Sequence, residues 1–445
     1  MNICNGLRID SYTRLALVGS GGKTTIMFNI GRELAAPIVL TTTTHLSMDE
    51  VACSDRHVMA LKEQDIERTF KQPVEGVLLL TGAPTEQGNR VRGLSEAMMD
   101  VLKNVCDQKG LPLLIEADGS RRLPLKAAGE YEPVIPQWVN QTAVVVGLRG
   151  LGKKLGEDTV FRADRFAALC DAHLGDVISP DLLEQYLLSP LGGLKNIPDH
   201  AVSTIFFNQL DIAPLSDETQ QAWAKRFLGR YNRVLWGSAN STIETQRVAA
   251  RDEAITAIVL AAGRSSRFGH PKQLLEWRGQ PFIRHVVNQS LQSGIQSVIV
   301  VVGEKGAEIA SAIQDLSVEI VYNHEWAQGL SQSIKAGLAA LPRHAGGALF
   351  LMSDIPQIPV ALINAIVATK RKEEGLIFAP RTKEGFVNPV LFDRACFADL
   401  MSLTGERGGK ALFQQYLVRE VLWEHEDELR DIDTPDDYAW LKQLE

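Results

Sequence analysis

The chain has 445 residues, 45% of them apolar and 22% charged, with a net charge of −8. This is ordinary for a soluble globular protein with sizeable cores, and the length predicts two or three domains. An acidic balance argues against a general binder of nucleic acid or of a membrane surface, and no apolar run approaches the roughly 18 residues of a membrane helix.

In the first half, apolar strand-like runs alternate with helical patterns. They are Leu15–Val18, Ile38–Thr41, Val77–Thr81, Leu113–Glu116, Ala143–Val146, Ser203–Phe207 and Arg233–Trp236. The alternation predicts α/β architecture with mostly parallel sheets. The first run opens into Gly19-Ser20-Gly21-Gly22-Lys23-Thr24, and a helix follows from Thr25. Strand, glycine loop and helix make a phosphate loop. Its amides and the helix N-terminus hold phosphates, Lys23 reaches the terminal one, and Thr24 can ligate Mg²⁺. The candidate nucleotide-binding residues here are Gly19, Gly21, Gly22, Lys23 and Thr24.

The run Leu113–Glu116 ends in carboxylates, Glu116 and Asp118. That position suits an acid that holds Mg²⁺, with Asp118 as the metal candidate and Glu116 beside it. Arg121, Arg122 and Lys126 come next and suit an anionic ligand. Further on, Asn208-Gln209-Leu210-Asp211 follows a strand. It is similar to the N-K-x-D base-reading motif of GTPases, with Gln in place of Lys, so Asn208 and Asp211 are candidates for contacting a base. Gly237-Ser238-Ala239 lies where such proteins place a second base-contacting loop.

The short loop G-x-x-G-K-T-T resembles that of Mur-ligase-type ATPases. As a whole, the first half resembles the YqeC family, accessory proteins of selenium-dependent molybdenum hydroxylases. The residues that carry this are Gly19–Thr25, Thr41-Thr42-Thr43-Thr44-His45, the run from Glu116 to Lys126, and Glu132-Pro133-Val134-Ile135-Pro136. The resemblance covers about residues 10–240 and implies a pathway more than a reaction. His45 is a candidate ligand contact or a structural histidine.

From Ser238 to Glu253 the chain is polar, without apolar periodicity. A domain boundary is placed near residue 250, with an exposed linker and domains over residues 1–250 and 254–445. A second alternation begins with Ile255–Leu260 and continues through Ser297–Val302, Glu319–Tyr322, Ala348–Met352, Leu376–Phe378, Val387–Phe392 and Val418–Trp423. Helical patterns lie between, such as Pro281–Gln292 and Ser331–Leu341.

The first of these runs ends at Ala261-Ala262-Gly263, and Arg264, Arg267 and Lys272 follow. Small residues let the backbone approach a ligand, and Gly263 can take φ values that other residues avoid. The three cations complete a cradle for a triphosphate. This stretch resembles the nucleotide loop of the MobA-like nucleotidyltransferases, L-A-A-G-x-S-x-R-x-G-x-x-K-x-L-L, and most resembles their MocA-like cytidylyltransferase branch.

That resemblance, over about residues 254–445, implies a Rossmann-like nucleotidyltransferase domain after the P-loop-type α/β domain. It implies metal ligation by Asp354, in Ser353-Asp354-Ile355-Pro356, and by Asp433, in Asp431-Ile432-Asp433-Thr434-Pro435-Asp436-Asp437, with Lys272, Asp354 and Asp433 as the catalytic set. Thr434, Pro435 and Asp437 make a good helix start, which leaves Asp433 free for a ligand. Ser331 and Ser333 match a loop that contacts the nucleotide. Asn388-Pro389-Val390 and Gly405-Glu406-Arg407-Gly408-Gly409-Lys410 match segments near the acceptor.

The implied reaction is transfer of CMP from CTP to a molybdopterin-type cofactor, molybdopterin or its molybdenum form, with Mg²⁺. The first domain would bind ATP or GTP, and an apo molybdenum hydroxylase is the expected client. Two other functions fit the same motifs: a nucleotide-switched cofactor chaperone, and a sugar-phosphate nucleotidyltransferase. Cys4, Cys53, Cys106, Cys170 and Cys396 are odd in number and scattered. With no signal-peptide core in the opening MNICNGLRIDSYTR, free thiols and a cytoplasmic location are expected.

Overall fold

The computed structural model describes residues 1–240, 247–263, 268–383 and 385–444. It divides into two compact units, Met1–Asp252 and Glu253–Glu445.

The first unit is built on a nine-stranded sheet. In chain order its strands are β1 (Arg14–Gly19), β2 (Ile38–Thr42), β3 (Arg56–Met59), β4 (Val77–Thr81), β5 (Leu113–Glu116), β6 (Gln141–Gly147), β7 (Val202–Asn208), β8 (Arg233–Gly237) and β9 (Val248–Glu253). The spatial order is β9-β8-β7-β6-β1-β5-β2-β4-β3. β1 pairs in parallel with β5, Leu17 opposite Glu116, and with β6, Gly19 opposite Val145. Alternate residues of β1 serve opposite faces. Leu15 and Leu17 enter one hydrophobic core, and Ala16 and Val18 the other. Sheets covered on both faces read as continuous apolar runs, which is why these strands were visible in the sequence.

Of the expected linker, residues 241–246 lie outside the described residues, and its end is a strand. Val248–Glu253 forms edge strand β9, with Val248 fully buried and its amide donating to the Met1 carbonyl at 3.0 Å. Arg251 is buried as well and donates to the Asn5 carbonyl at 3.0 Å. Periodicity missed this strand because Val-Ala-Ala-Arg-Asp-Glu has little apolar character of its own, and part of its burial comes from Met1 and Asn5 at the other end of the sequence.

The second unit has strands β10 (Ile255–Ala261), β11 (Ser297–Val302), β12 (Glu319–Tyr322), β13 (Gly347–Met352), β14 (Ile377–Thr382), β15 (Gly385–Phe386), β16 (Val390–Asp393) and β17 (Val418–Val421). The order is β12-β11-β10-β13-β16-β14-β15, with β17 paired to β14. β10, β11, β12 and β13 are parallel, whereas β16 runs antiparallel to both β13 and β14. The sheet is therefore mixed where a mostly parallel one was expected. Beneath it, Lys370 is buried with its Nζ 2.6 Å from Glu253 Oε2 and 3.2 Å from Asp393 Oδ2.

Among the described residues no helix is long and apolar enough to cross a membrane. All five cysteines are free thiols. Cys4 is buried, and burial together with nearby Glu33 pushes its thiol up to about 12.

Candidate functional site

In the first unit the carboxyl end of β1 turns through Gly21 and Gly22, at φ 88° and 121°, into the helix Lys23–Glu33. Both angles are in the left-handed half of the map that glycine tolerates. Space is equally restrictive, because a Cβ on Gly21 would stand 2.4 Å from the Gly147 Cα.

Lys23 folds back over this loop. Its Nζ donates to the Gly19 carbonyl at 2.7 Å and lies 3.1 Å from Asp118 and 3.8 Å from Glu116. Burial works against charge on both Lys23 and Glu116. For Lys23 the two acids outweigh it and hold the ammonium above its ordinary value. For Glu116 burial outweighs Lys23 and Thr24, and the carboxyl is pushed up.

The two candidate acids have different surroundings. Thr24 Oγ1 donates to Glu116 Oε2 at 2.8 Å, so Glu116 is the acid beside the loop hydroxyl. Asp118, expected as a metal ligand, accepts from the Gly19 amide at 3.0 Å and is paired with Lys23 and, at 2.8 Å, with Lys126. A carboxylate already shared by two ammonium groups and an amide is a poor site for a further cation. Lys126, expected to face an anionic ligand, is buried between Asp118 and Glu132, the latter 3.0 Å away. Arg162 completes this chain of charges with hydrogen bonds of 2.7 and 3.0 Å to Glu132. Burial opposes ionisation of Glu132, but Arg162 and Lys126 hold it down at about 2. Neither Lys126 nor Arg162 was read in this role from the sequence.

Asn208 bridges two loops. Its Nδ2 donates to the Gly21 carbonyl at 2.7 Å, and its Oδ1 accepts from the Ala239 amide at 2.8 Å. The two ends of the amide tie the phosphate loop to the loop after β8. Asp211 is exposed, and its backbone amide donates to Ser238 Oγ at 2.9 Å. His45 is exposed in a two-stranded ribbon opposite Arg92; burial first, then Arg90 and Arg92, lowers its pKa.

In the second unit the carboxyl ends of β10 and β13 open on a cleft of about 380 Å³. Its lining includes Ala262, Gly263, Lys272, Ser333, Asp354 and Glu406. That volume suits a small ligand. A neighbouring hollow of about 240 Å³ shares Ala261, Ala262 and Gly263 with Trp326 and Lys305. Gly263 is not in the left-handed region, and a Cβ there would meet none of the described residues within 4 Å. Open space, not an unusual φ, distinguishes the position. Arg264 and Arg267 lie outside the described residues.

Lys272, Asp354 and Asp433 converge. Lys272 Nζ is bonded to Asp354 Oδ2 and stands 2.8 Å from Asp433 Oδ1. Burial opposes its charge, but the two acids hold the ammonium above its ordinary value. Burial, then Asp354 and Asp433, push neighbouring Asp431 up to about 6. Asp433 is placed by the start of the helix Pro435–Lys442, where Thr434 and Asp437 form a capping box. Asp437 Oδ2 also accepts from the Asp433 amide at 3.3 Å.

The two serines differ. Ser333 lines the cleft, and its Oγ accepts from Asn323 at 3.0 Å. Ser331 is fully buried and lies outside the cleft lining, because the helix Leu330–Ala339 turns it inward. Gln273 is a residue the sequence reading passed over. It is buried, and its Nε2 donates to the Ala261 and Gly263 carbonyls at 3.3 and 3.4 Å. A polar residue beside the motif lysine was the available signal.

Two family models match the chain. The YqeC protein family matches residues 15–164, and the MobA-like NTP transferase domain matches residues 257–421. The uncharacterized protein YqeC of Escherichia coli K12 is 30% identical over 207 residues, which is 44% of this chain and 76% of that protein. The molybdenum cofactor cytidylyltransferase of the same organism is 28% identical over 194 residues, 43% of this chain and 96% of that protein. The crystal structure of Rv0371c from Mycobacterium tuberculosis H37Rv aligns with 28% identity and a TM-score of 0.38, covering 43% of this chain and 98% of that one.

Proposed function

We propose, for a chain that belongs to the YqeC family through its first unit and carries a MobA-like NTP transferase domain in its second, two linked activities. The second unit transfers CMP from CTP to a molybdopterin-type cofactor. The first binds ATP or GTP and serves as an accessory in maturing a molybdenum hydroxylase.

The observation that carries the transferase reading is the meeting of Lys272, Asp354 and Asp433 at the cleft beside Gly263. Nucleotidyl transfer needs a held triphosphate and neutralisation of charge at the α-phosphate. Asp354 Oδ1 is buried and has no hydrogen-bond partner among the described residues. Two carboxylates, one with a free buried oxygen, fit a hard cation that completes its shell with phosphate and water. Bound by Asp354 and Asp433, Mg²⁺ would supply Lewis-acid screening of the α-phosphate. The chain's own part is positioning. Lys272 brings a cation to the phosphates, Gln273 pins the Ala261–Gly263 backbone, and Gly263 leaves room against it. The choice of CTP is supported by Ala261-Ala262, as in the cytidylyltransferase branch, and by the Escherichia coli relative.

In the first unit, loop amides and the start of the helix Lys23–Glu33 would hold the phosphates, with Lys23 at the terminal one. Thr24 and Glu116, already 2.8 Å apart, are the pair that would hold Mg²⁺.

Pyrophosphate release tests the transferase, measured with CTP, GTP and ATP and with molybdopterin or its molybdenum form as acceptor. Preference for CTP is expected, and preference for GTP would overturn the base assignment. Lys23→Ala should abolish nucleotide binding by the first unit and leave pyrophosphate release largely intact. Unchanged binding in that variant would remove the phosphate-loop reading.

A further inference from the structure

The segment after β5 arches over the phosphate loop. At one foot, the Ala117 amide donates to the Leu17 carbonyl at 2.9 Å, and Asp118 accepts from the Gly19 amide at 3.0 Å. At the other, the Gly147 amide donates to the Pro124 carbonyl at 3.1 Å, and a Cβ on Gly21 would lie 3.0 Å from that oxygen. The feet stand at β5 and β6, the two neighbours of β1. The arch therefore crosses the carboxyl end of β1, where a ligand of an open α/β sheet sits.

Arg121 and Arg122 are its crown. The Leu123 amide donates to the Ser120 carbonyl at 3.0 Å, and the two arginines between them have φ of 52° and 62°. Positive φ at both central residues marks a turn that favours Asn and Gly. Arginine is costly in both positions, and such cost concentrates where side chains serve a ligand. Each lies three residues or fewer from a foot, within about 10 Å of chain.

The two differ from the buried or acid-paired cations beside the loop. Lys23, Lys126 and Arg162 are each paired with an acid. Among the described residues neither Arg121 nor Arg122 has a carboxylate partner, and both are exposed. The Arg121 guanidinium is steadied over the Phe161 ring at 4.8 Å, and the Arg122 carbonyl accepts from Arg149 at 3.0 Å.

We infer that Arg121 and Arg122 grip the terminal phosphate of the nucleotide in the first unit, so that this unit distinguishes a nucleoside triphosphate from a diphosphate. The inference rests on the phosphate-loop reading above.

The test uses the full chain with Mg²⁺ and, separately, ATP, ADP, GTP and GDP. Binding by the first unit is taken as the calorimetric component that Lys23→Ala removes. The informative variant is Arg121→Asn with Arg122→Gly, because it suits the turn while deleting both cations. Its unfolding temperature should hold or rise. Affinity for the triphosphate should fall about ten- to a hundredfold, as expected for loss of charged hydrogen bonds, with less than about a threefold change for the diphosphate. Arg121→Lys with Arg122→Lys should be intermediate. Equal loss for both nucleotides, no loss, or a parent chain without preference for the triphosphate would overturn the inference alone. No component lost in Lys23→Ala would overturn the phosphate-loop reading and the inference with it.

Discussion

Lys272 and Asp433 stand 2.8 Å apart across 161 residues of sequence, and Asp354 holds the same ammonium. One cation thus keeps two carboxylates together where like charges would otherwise repel. Asp433 is half exposed and Asp354 mostly buried, with side chains 52% and 10% accessible. The pair presents one open and one sheltered face to whatever enters the cleft.

Asp437 bears on this arrangement through Asp433. It caps the helix Pro435–Lys442, and Thr434 and Arg430, opposed by burial, hold its carboxyl below the usual range. Asp437→Asn should cost about 1 kcal/mol of stability. Because the Asp433 amide also donates to it, a modest fall in turnover should accompany that loss. Denaturation midpoints and turnover measured on one preparation check both. A loss of activity as large as that of Asp433→Asn would mean that Asp437 is itself part of the chemistry.

The structure separates Asn208 from Asp211. Asn208→Ala strips partners from the buried Gly21 carbonyl and Ala239 amide, which should cost about 1–3 kcal/mol. Affinity for ATP and GTP should weaken together. Asp211→Ala should leave stability nearly unchanged and alter the ratio of the two affinities. A changed ratio in Asn208→Ala would show it to be a base contact.

How much of this was legible follows from the reach of each signal. The strands beside the phosphate loop and the Gly263 loop are continuous apolar runs, so their local pattern sufficed. Asp354 and Asp433 are implied by the resemblance to MobA-like nucleotidyltransferases, because a strand-end acid or an acid before a helix cap carries no role by local pattern alone. Edge strand β9 was missed because it has little apolar character of its own, and Val248 and Arg251 are anchored by Met1 and Asn5. Lys126 looked like a ligand cation because its partner Asp118 is eight residues upstream and no periodicity links them. The loop-tying bonds of Asn208 were hidden for a similar reason: what its amide reaches, Gly21 and Ala239, is decided by the sheet order.

Glu132 gives a dependence on pH. Its folded value of about 2 lies below the ordinary glutamate value of about 4.3. The stabilisation is therefore complete above that ordinary value and lost as pH falls toward 2. Allowing for its partial exposure, Glu132→Gln should cost about 2 kcal/mol at pH 7. Urea midpoints of parent and variant should draw together between pH 5 and pH 3. A gap that stays constant with pH would show that Glu132 acts by packing alone.

The two units are expected to fold separately as Met1–Asp252 and Glu253–Glu445. Glu253 belongs with the second because Lys370 is buried against it at 2.6 Å. Starting that fragment at Ala254 should cost about 3 kcal/mol, since a buried ammonium loses one of its acids. Circular dichroism and urea titration of the fragments decide it. Equal stability of the two starting points would show that Asp393 suffices.

The central claim is that Asp354 and Asp433 hold the metal of a nucleotidyl transfer. The most direct measurement is the rate of pyrophosphate release from CTP as Mg²⁺ is titrated, comparing the parent chain with Asp354→Asn. Loss of one ligand should remove several kcal/mol of transition-state stabilisation, roughly a hundredfold or more in rate at saturating metal. CTP binding without metal should change far less, because Lys272 remains in the cleft. Full activity of Asp354→Asn, or a rate indifferent to Mg²⁺, would contradict the account.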